Sequence, residues 1–177
     1  MSLYILQYRG TSLISRLIRS ITWSNFSHSA IANAEGYVIE AWEKAGISYA
    51  ASPWENHTPG TVISVYKLAA EGKEMRIWNE ALLRCGGEYD FMSIFGFLPI
   101  LRHFWSDDVN RFFCSHLVAY CCRRGGAPLF SQATPLYKVS PGLLTWSPRL
   151  KWIADVKNDD EWDEVVVDNL QSLGPAQ

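Results

Sequence analysis

The chain has 177 residues, a formal net charge of −2 and eight Trp within an aromatic content of 14%. Its length suits one domain, and a hydrophobic content of 48% at such low net charge excludes an intrinsically disordered chain. A sequence pI of about 6.1 excludes the basic excess of a generic nucleic-acid binder, while the aromatic load fits either a dense core or an apolar groove.

Leu3 to Tyr8 reads as a strand, rich in apolar and aromatic residues. Arg9-Gly10-Thr11-Ser12 turns the chain, and Thr11 or Ser12 can cap a short helix. The apolar residues of that helix are Leu13, Ile14, Leu17, Ile18 and Ile21, which puts Arg16 and Arg19 on its wet side. Ser27 to Asn33 and Tyr37 to Trp42 read as two strands around a turn at Ala34-Glu35-Gly36. Pro53 to Gly60 is a loop and Thr61 to Leu68 a further strand. Glu74 to Cys85 is an amphipathic helix with Met75, Trp78, Ala81, Leu82 and Cys85 at helical spacing, closed by Gly86-Gly87. A second helix lies within Cys114 to Arg124 and ends at Gly125-Gly126. Pro128 to Pro148 reads as irregular structure. From Ala154 the acidic residues predict a mobile linker, with Val165-Val166-Val167 as a short strand or packing arm. The order of elements predicts an α+β fold, with helices packed against an antiparallel sheet.

No stretch reads as a signal peptide. The longest apolar run, Phe91 to Leu101, is shorter than the roughly 20 residues of a membrane span and is broken by Gly96 and Pro99. A cytoplasmic chain is the expectation. The Phe91 to Trp105 stretch reads as a buried helix or as the wall of an apolar groove. Cys85, Cys114, Cys121 and Cys122 contain no C-x-x-C pair, so reduced thiols are expected. A zinc site from Cys114, His116, Cys121 and Cys122 fails on spacing, and Arg123-Arg124 reads as a charge pair at a helix C-terminus.

Cys114 sits where a helix begins. The first turn presents unpaired N–H groups and the positive end of the helix dipole, which favour a thiolate and can hold an oxyanion. The alternative is a buried structural thiol. A nucleophilic Cys needs a base, and the histidines are His28, His57, His103 and His116. His116 is two residues from Cys114 on the same helix and points elsewhere. His103 follows the aromatic stretch, and His57 lies in a loop that carries no readable signal. His28 opens Ser27-His28-Ser29-Ala30-Ile31-Ala32, whose small residues leave room for a partner. If residues 34–36 form a three-residue hairpin loop, Ala32 faces Val38, Ala30 faces Glu40 and His28 faces Trp42. Glu40 is then diagonal to His28 on one face, within reach to orient the imidazole. A one-residue slip would separate them, leaving a core histidine and a surface carboxylate. Tyr8, Trp42 and Tyr89 are candidates to line a cleft, with core packing as the alternative.

Several short segments, in order, resemble the permuted papain-like amidases, the YaeF/YiiX group of the NlpC superfamily. They are Leu3 to Gly10, Phe26-Ser27-His28-Ser29-Ala30-Ile31, Tyr37-Val38-Ile39-Glu40-Ala41, Glu88-Tyr89-Asp90-Phe91, Phe113-Cys114-Ser115 and Ser140-Pro141-Gly142-Leu143-Leu144. The resemblance implies a circularly permuted papain-like catalytic domain over residues 1–150, with an antiparallel sheet or small barrel against helices. Residues 151–177 are left as an acidic tail, not a separate domain. It implies Cys114 as nucleophile, His28 as general base and acid, and Glu40 as the residue orienting His28. One departure is His116, where this family often has an acidic residue after Cys-Ser.

The implied activity is a cysteine hydrolase that cleaves an amide of a cell-wall peptide or small acylated amine through a thioester, with no metal or organic cofactor. A lipid-directed acyltransferase or esterase on the same fold, or a binding module without turnover, are the alternatives. The expected partner is a small-molecule or peptide amide. No nucleic acid and no integral membrane span are expected, and transient lipid contact is allowed.

Overall fold

The computed structural model describes residues 1–43, 45–90, 93, 97 and 111–171. Apart from Ser93 and Phe97, the Phe91 to Trp105 stretch, with His103, lies outside them.

Six antiparallel strands form the main sheet in the order β4-β3-β2-β1-β5-β8. They are β1 (Leu3–Arg9), β2 (His28–Asn33), β3 (Val38–Trp42), β4 (Gly46–Ala50), β5 (Val62–Leu68) and β8 (Leu150–Val156). Two short strands, β6 (Glu88–Tyr89) and β7 (Arg111–Phe112), pair in parallel. The helices are α1 (Leu13–Thr22), α2 (Glu74–Leu82), α3 (Cys114–Gly125), the single turn α4 (Pro141–Leu144) and α5 (Asp159–Gln171). The expected antiparallel sheet with packed helices is therefore present.

Strand alternation divides the core between the two faces of the sheet. Leu3, Ile5, Ile31, Ile39 and Ile47 pack with Ile77 and Trp78 of α2 and with Leu117, Val118 and Cys121 of α3. Tyr4, Leu6, Tyr8, Ala30 and Val38 share the second cluster with Trp162 and Val166 of α5. Helices α2 and α3 meet closely at Gly125, where an added Cβ would lie 2.4 Å from the Ile77 side chain and 2.7 Å from its Cα.

Four sequence expectations need correction. Residues 46–50, left unassigned, form the edge strand β4, tied by Ile47 N–H to the Gly87 carbonyl at 2.9 Å and by Gly86 N–H to the Ile47 carbonyl at 2.8 Å. The mobile linker expected from Ala154 gives way to the end of β8 and to α5, and Val165 to Val167 are helical rather than extended. Asp159, Asp160 and Glu161 occupy the first turn of α5, where they complement the helix dipole. In α2 the buried residues are Ile77, Trp78 and Ala81, whereas Met75 and Leu82 are exposed.

The fourth correction concerns α1. Ser12 caps it as expected, accepting from Ser15 N–H at 3.1 Å. Yet Leu13 is 81% exposed and Leu17 52% exposed, and only Ile21 of the apolar set is buried. The inward side is largely polar: Arg19 Nη1 donates to the Gly10 carbonyl at 2.7 Å, and Ser15 packs against Gly10 so closely that a Cβ there would sit 2.4 Å from Ser15 Oγ.

Candidate functional site

The β2–β3 hairpin places the first two residues of the site. Asn33 N–H donates to the Tyr37 carbonyl at 3.0 Å, and the Asn33 side-chain oxygen accepts from the N–H groups of Glu35 and Tyr37. Gly36 takes the positive φ of 84° that closes the loop. This three-residue connection fixes the register Ala32↔Val38, Ile31↔Ile39 and Ala30↔Glu40. His28 and Glu40 therefore share a face, and their side chains meet with His28 Nε2 2.7 Å from Glu40 Oε2. Across β1, Tyr8 is the direct partner of His28.

The loop between β4 and β5 completes the surroundings of Glu40. His57 Nε2 lies 3.1 Å from the same Oε2, and Asn56 Nδ2 donates to Oε1 at 2.9 Å. Glu40 thus accepts from three side chains while almost wholly buried. Burial alone would raise its pKa. The bonds from His28 and His57, reinforced by their charges, overturn that and hold it well below the usual carboxylate range.

Neither His57 nor Asn56 is predicted from sequence, since loop residues show no periodicity. His57 lies flat on Tyr8, with ring centroids 3.9 Å apart and planes 12° apart. Trp42 meets both His28 and His57 edge to face at 5.0 Å. Burial and the neighbouring His28 charge lower the pKa of His57, against the bond to Glu40. A neutral His57 that donates through Nε2 suits this setting.

Cys114 comes from the first turn of α3. Phe113 is the N-cap residue and offers no side-chain bond to the first turn, so the amide groups there are not capped from within. The helix is anchored by Ser115 Oγ, which donates to the Val139 carbonyl at 2.7 Å. The pairing Tyr89↔Phe112, with Asp90 N–H donating to the Phe112 carbonyl at 3.0 Å, brings Tyr89 beside this entry. Cys114 is 3% exposed. It lies near enough to His28 to act on it. Burial would lower the imidazole pKa, but the charge of the Cys114 sulfur, its hydrogen bond and the Glu40 carboxylate raise it to about 10. Since Nε2 faces Glu40, Nδ1 is the ring nitrogen left for Cys114.

A cavity of about 300 Å³ opens on this cluster, and His28, His57, Trp42, Tyr89, Ile14 and Ile18 are among the residues that line it. Of the three cleft candidates, Trp42 and Tyr89 reach its wall, whereas Tyr8 is fully buried behind His57. Cys114 is buried and is not among the residues that line the cavity. His116 is elsewhere, packed against Phe112 and Phe113, with its pKa lowered to about 4 by burial and by Arg123.

The arrangement can move a proton between a thiol and a buried imidazole whose far nitrogen is held by a carboxylate. The cluster His28, Glu40 and His57 also offers two nitrogens and one oxygen, all within 4.8 Å of one another. No family model and no curated protein matches the chain. Among solved structures it is similar to the metalloprotein YiiX from Escherichia coli O157:H7, of DUF1105, with a TM-score of 0.64 and 19% identity. The match spans 89% of this chain and 98% of that one, so the two share a fold.

Proposed function

We propose that the chain is a cysteine hydrolase of permuted papain-like type, cleaving an amide bond through a thioester on Cys114. The observation that carries this reading is the 2.7 Å bond between buried His28 and Glu40, with a buried Cys114 acting electrostatically on the same imidazole. The order of His28 before Cys114 in the chain agrees with a permuted papain-like enzyme.

In the proposed reaction His28 takes the Cys114 thiol proton as the sulfur attacks the amide carbonyl, and first-turn N–H groups of α3 stabilise the oxyanion. The C–N bond breaks as His28 gives its proton to the leaving nitrogen. His28 then takes a proton from water, the hydroxide attacks the thioester, and the acid departs as the thiol is restored. Glu40 keeps the Nε2 proton in place, so that Nδ1 is free to accept and return the other. Cell-wall peptides and small acylated amines are the amides to offer. Mass spectrometry of the protein mixed with such an amide should show an acyl adduct on Cys114. Turnover by Cys114→Ala would overturn the reading.

One observation favours a second reading, since a solved structure with this fold is described as a metalloprotein. His28, Glu40 and His57 fit a divalent ion: two imidazoles and a carboxylate are a common catalytic zinc set. Bound there, the ion would supply Lewis-acid chemistry at the cavity. His28 and His57 would hold it through Nε2, and Tyr8 and Trp42 would fix the two rings. Metal analysis of the purified protein, followed by chelation and re-addition of zinc, separates the readings. The cysteine hydrolase keeps its turnover after chelation, and the metal enzyme loses it.

A further inference from the structure

Helix α1 leaves part of its apolar side in solvent. Leu13 and Leu17 are exposed there, while Ser15 and Arg19 are tied inward to the Gly10 turn. At its C-terminal end Trp23 is 96% exposed in a left-handed conformation, and it shares a surface groove with Trp146, which is 81% exposed. No packing within the described residues accounts for either indole. Beside this face lies a basic hollow lined by Arg9, Arg16 and Arg19, with no acidic side chain among the described residues of its wall. Arg9 is paired with Asp155 and Arg19 with the Gly10 carbonyl, so Arg16 is the exposed cation of the group. The apolar face continues inward, because Ile14 and Ile18 of the same helix line the cavity that holds His28.

We infer that α1 is a docking face for an anionic lipid surface, from which the cavity receives an amphiphilic substrate. Three features choose a bilayer over other occupants. The helix offers exposed leucines to the acyl boundary, the indole of Trp23 at its end lies with that of Trp146 at the headgroup level, and Arg16 stands where anionic headgroups would lie. The net charge of the whole chain is −2, so this basic corner is a local feature rather than a general one. The docking stands on the surface alone, whereas the amphiphilic substrate rests on the hydrolase reading.

The test is co-sedimentation of the full chain with phosphatidylcholine vesicles, with and without phosphatidylglycerol, while Trp emission is followed. Binding should require the anionic lipid and shift the emission to the blue. The double variant Leu13→Ser/Leu17→Ser should bind at least ~10-fold more weakly. Both leucines are exposed and outside the cavity wall, so it should keep its unfolding midpoint and its turnover of a short soluble ester. Arg16→Gln should lose about fivefold of its affinity for anionic vesicles. Cys114→Ala should bind like wild type, so a failed hydrolase reading leaves this result intact. Wild-type protein that stays in the supernatant while its Cys114 still reacts with iodoacetamide overturns the docking alone. A face that instead holds two copies together, seen as a dimer by light scattering that Leu13→Ser/Leu17→Ser dissolves, overturns it as well.

Discussion

Replacing Glu40 by Gln keeps the shape of the side chain and removes one acceptor oxygen. In the native site Oε2 faces the Nε2 atoms of both His28 and His57, and Oε1 faces the Asn56 amide. An amide satisfies these neighbours in neither orientation without a rearrangement. With its oxygen toward the histidines, its NH₂ meets the NH₂ of Asn56. With the oxygen toward Asn56, the histidines must accept through Nε2, and His28 then carries its proton on Nδ1, facing Cys114. That tautomer cannot take the thiol proton. The first arrangement forces the Asn56 amide to turn over and the second forces both imidazoles to change tautomer, a cost of about 1 kcal/mol. The loss of the carboxylate charge also removes one of the causes that hold His28 at about 10. An imidazole that no longer takes the thiol proton should slow alkylation of Cys114 by ~10-fold or more. Iodoacetamide labelling of Cys114, read by mass spectrometry, measures this without a substrate, and urea unfolding measures the stability. A Glu40→Gln protein labelled at the wild-type rate, with an unchanged midpoint, would refute the role given to Glu40.

His57→Ala removes a donor to Glu40 and the flat stack on Tyr8, and should cost about 2 kcal/mol in urea unfolding. His57→Gln keeps a donor and should recover part of the Cys114 labelling rate that His57→Ala loses. Gly125→Ala forces α2 from α3, because the new Cβ meets the Ile77 backbone as well as its side chain. It should lower stability by about 2 kcal/mol by thermal unfolding, with no effect on labelling in the folded protein. His28 is raised from 6.5 to about 10 on folding, so it contributes stability below pH ~6.5 that fades as pH climbs through that higher value. The stability gap between wild type and His28→Gln should therefore be largest in mild acid and narrow toward pH ~10.

The legible parts of the fold are those specified by local chemistry. The helix α3 ends at Gly125-Gly126 because Gly126 takes a φ of 95°, a conformation that a glycine pair announces. Strands β1, β2, β3 and β5 carry enough apolar residues to be read directly. Strand β8 escapes because Lys151 and Asp155 interrupt its apolar pattern, and its pairing with β5 includes an irregularity at Val65/Tyr66. Helix α1 shows a different limit. Periodicity reveals an apolar stripe but not which way it points, and here the contacts of Ser15 and Arg19 with Gly10 hold the opposite side inward.

The site divides along the same line. His28 and Glu40 are legible together because a three-residue turn and strict alternation leave one register, and that register alone makes them neighbours. His57 and Asn56 are not, because their distance from Glu40 is set by how a loop folds over the second face of the sheet. This difference bears on function. The hairpin alone supplies the imidazole–carboxylate pair needed beside a cysteine, whereas the loop adds the second imidazole that makes the same carboxylate a candidate metal ligand. Whether the loop is present to steady Glu40 or to complete a metal site is therefore decided at His57. If it steadies Glu40, His57→Gln should retain turnover that His57→Ala loses. If it completes a metal site, both variants should lose bound zinc and turnover together.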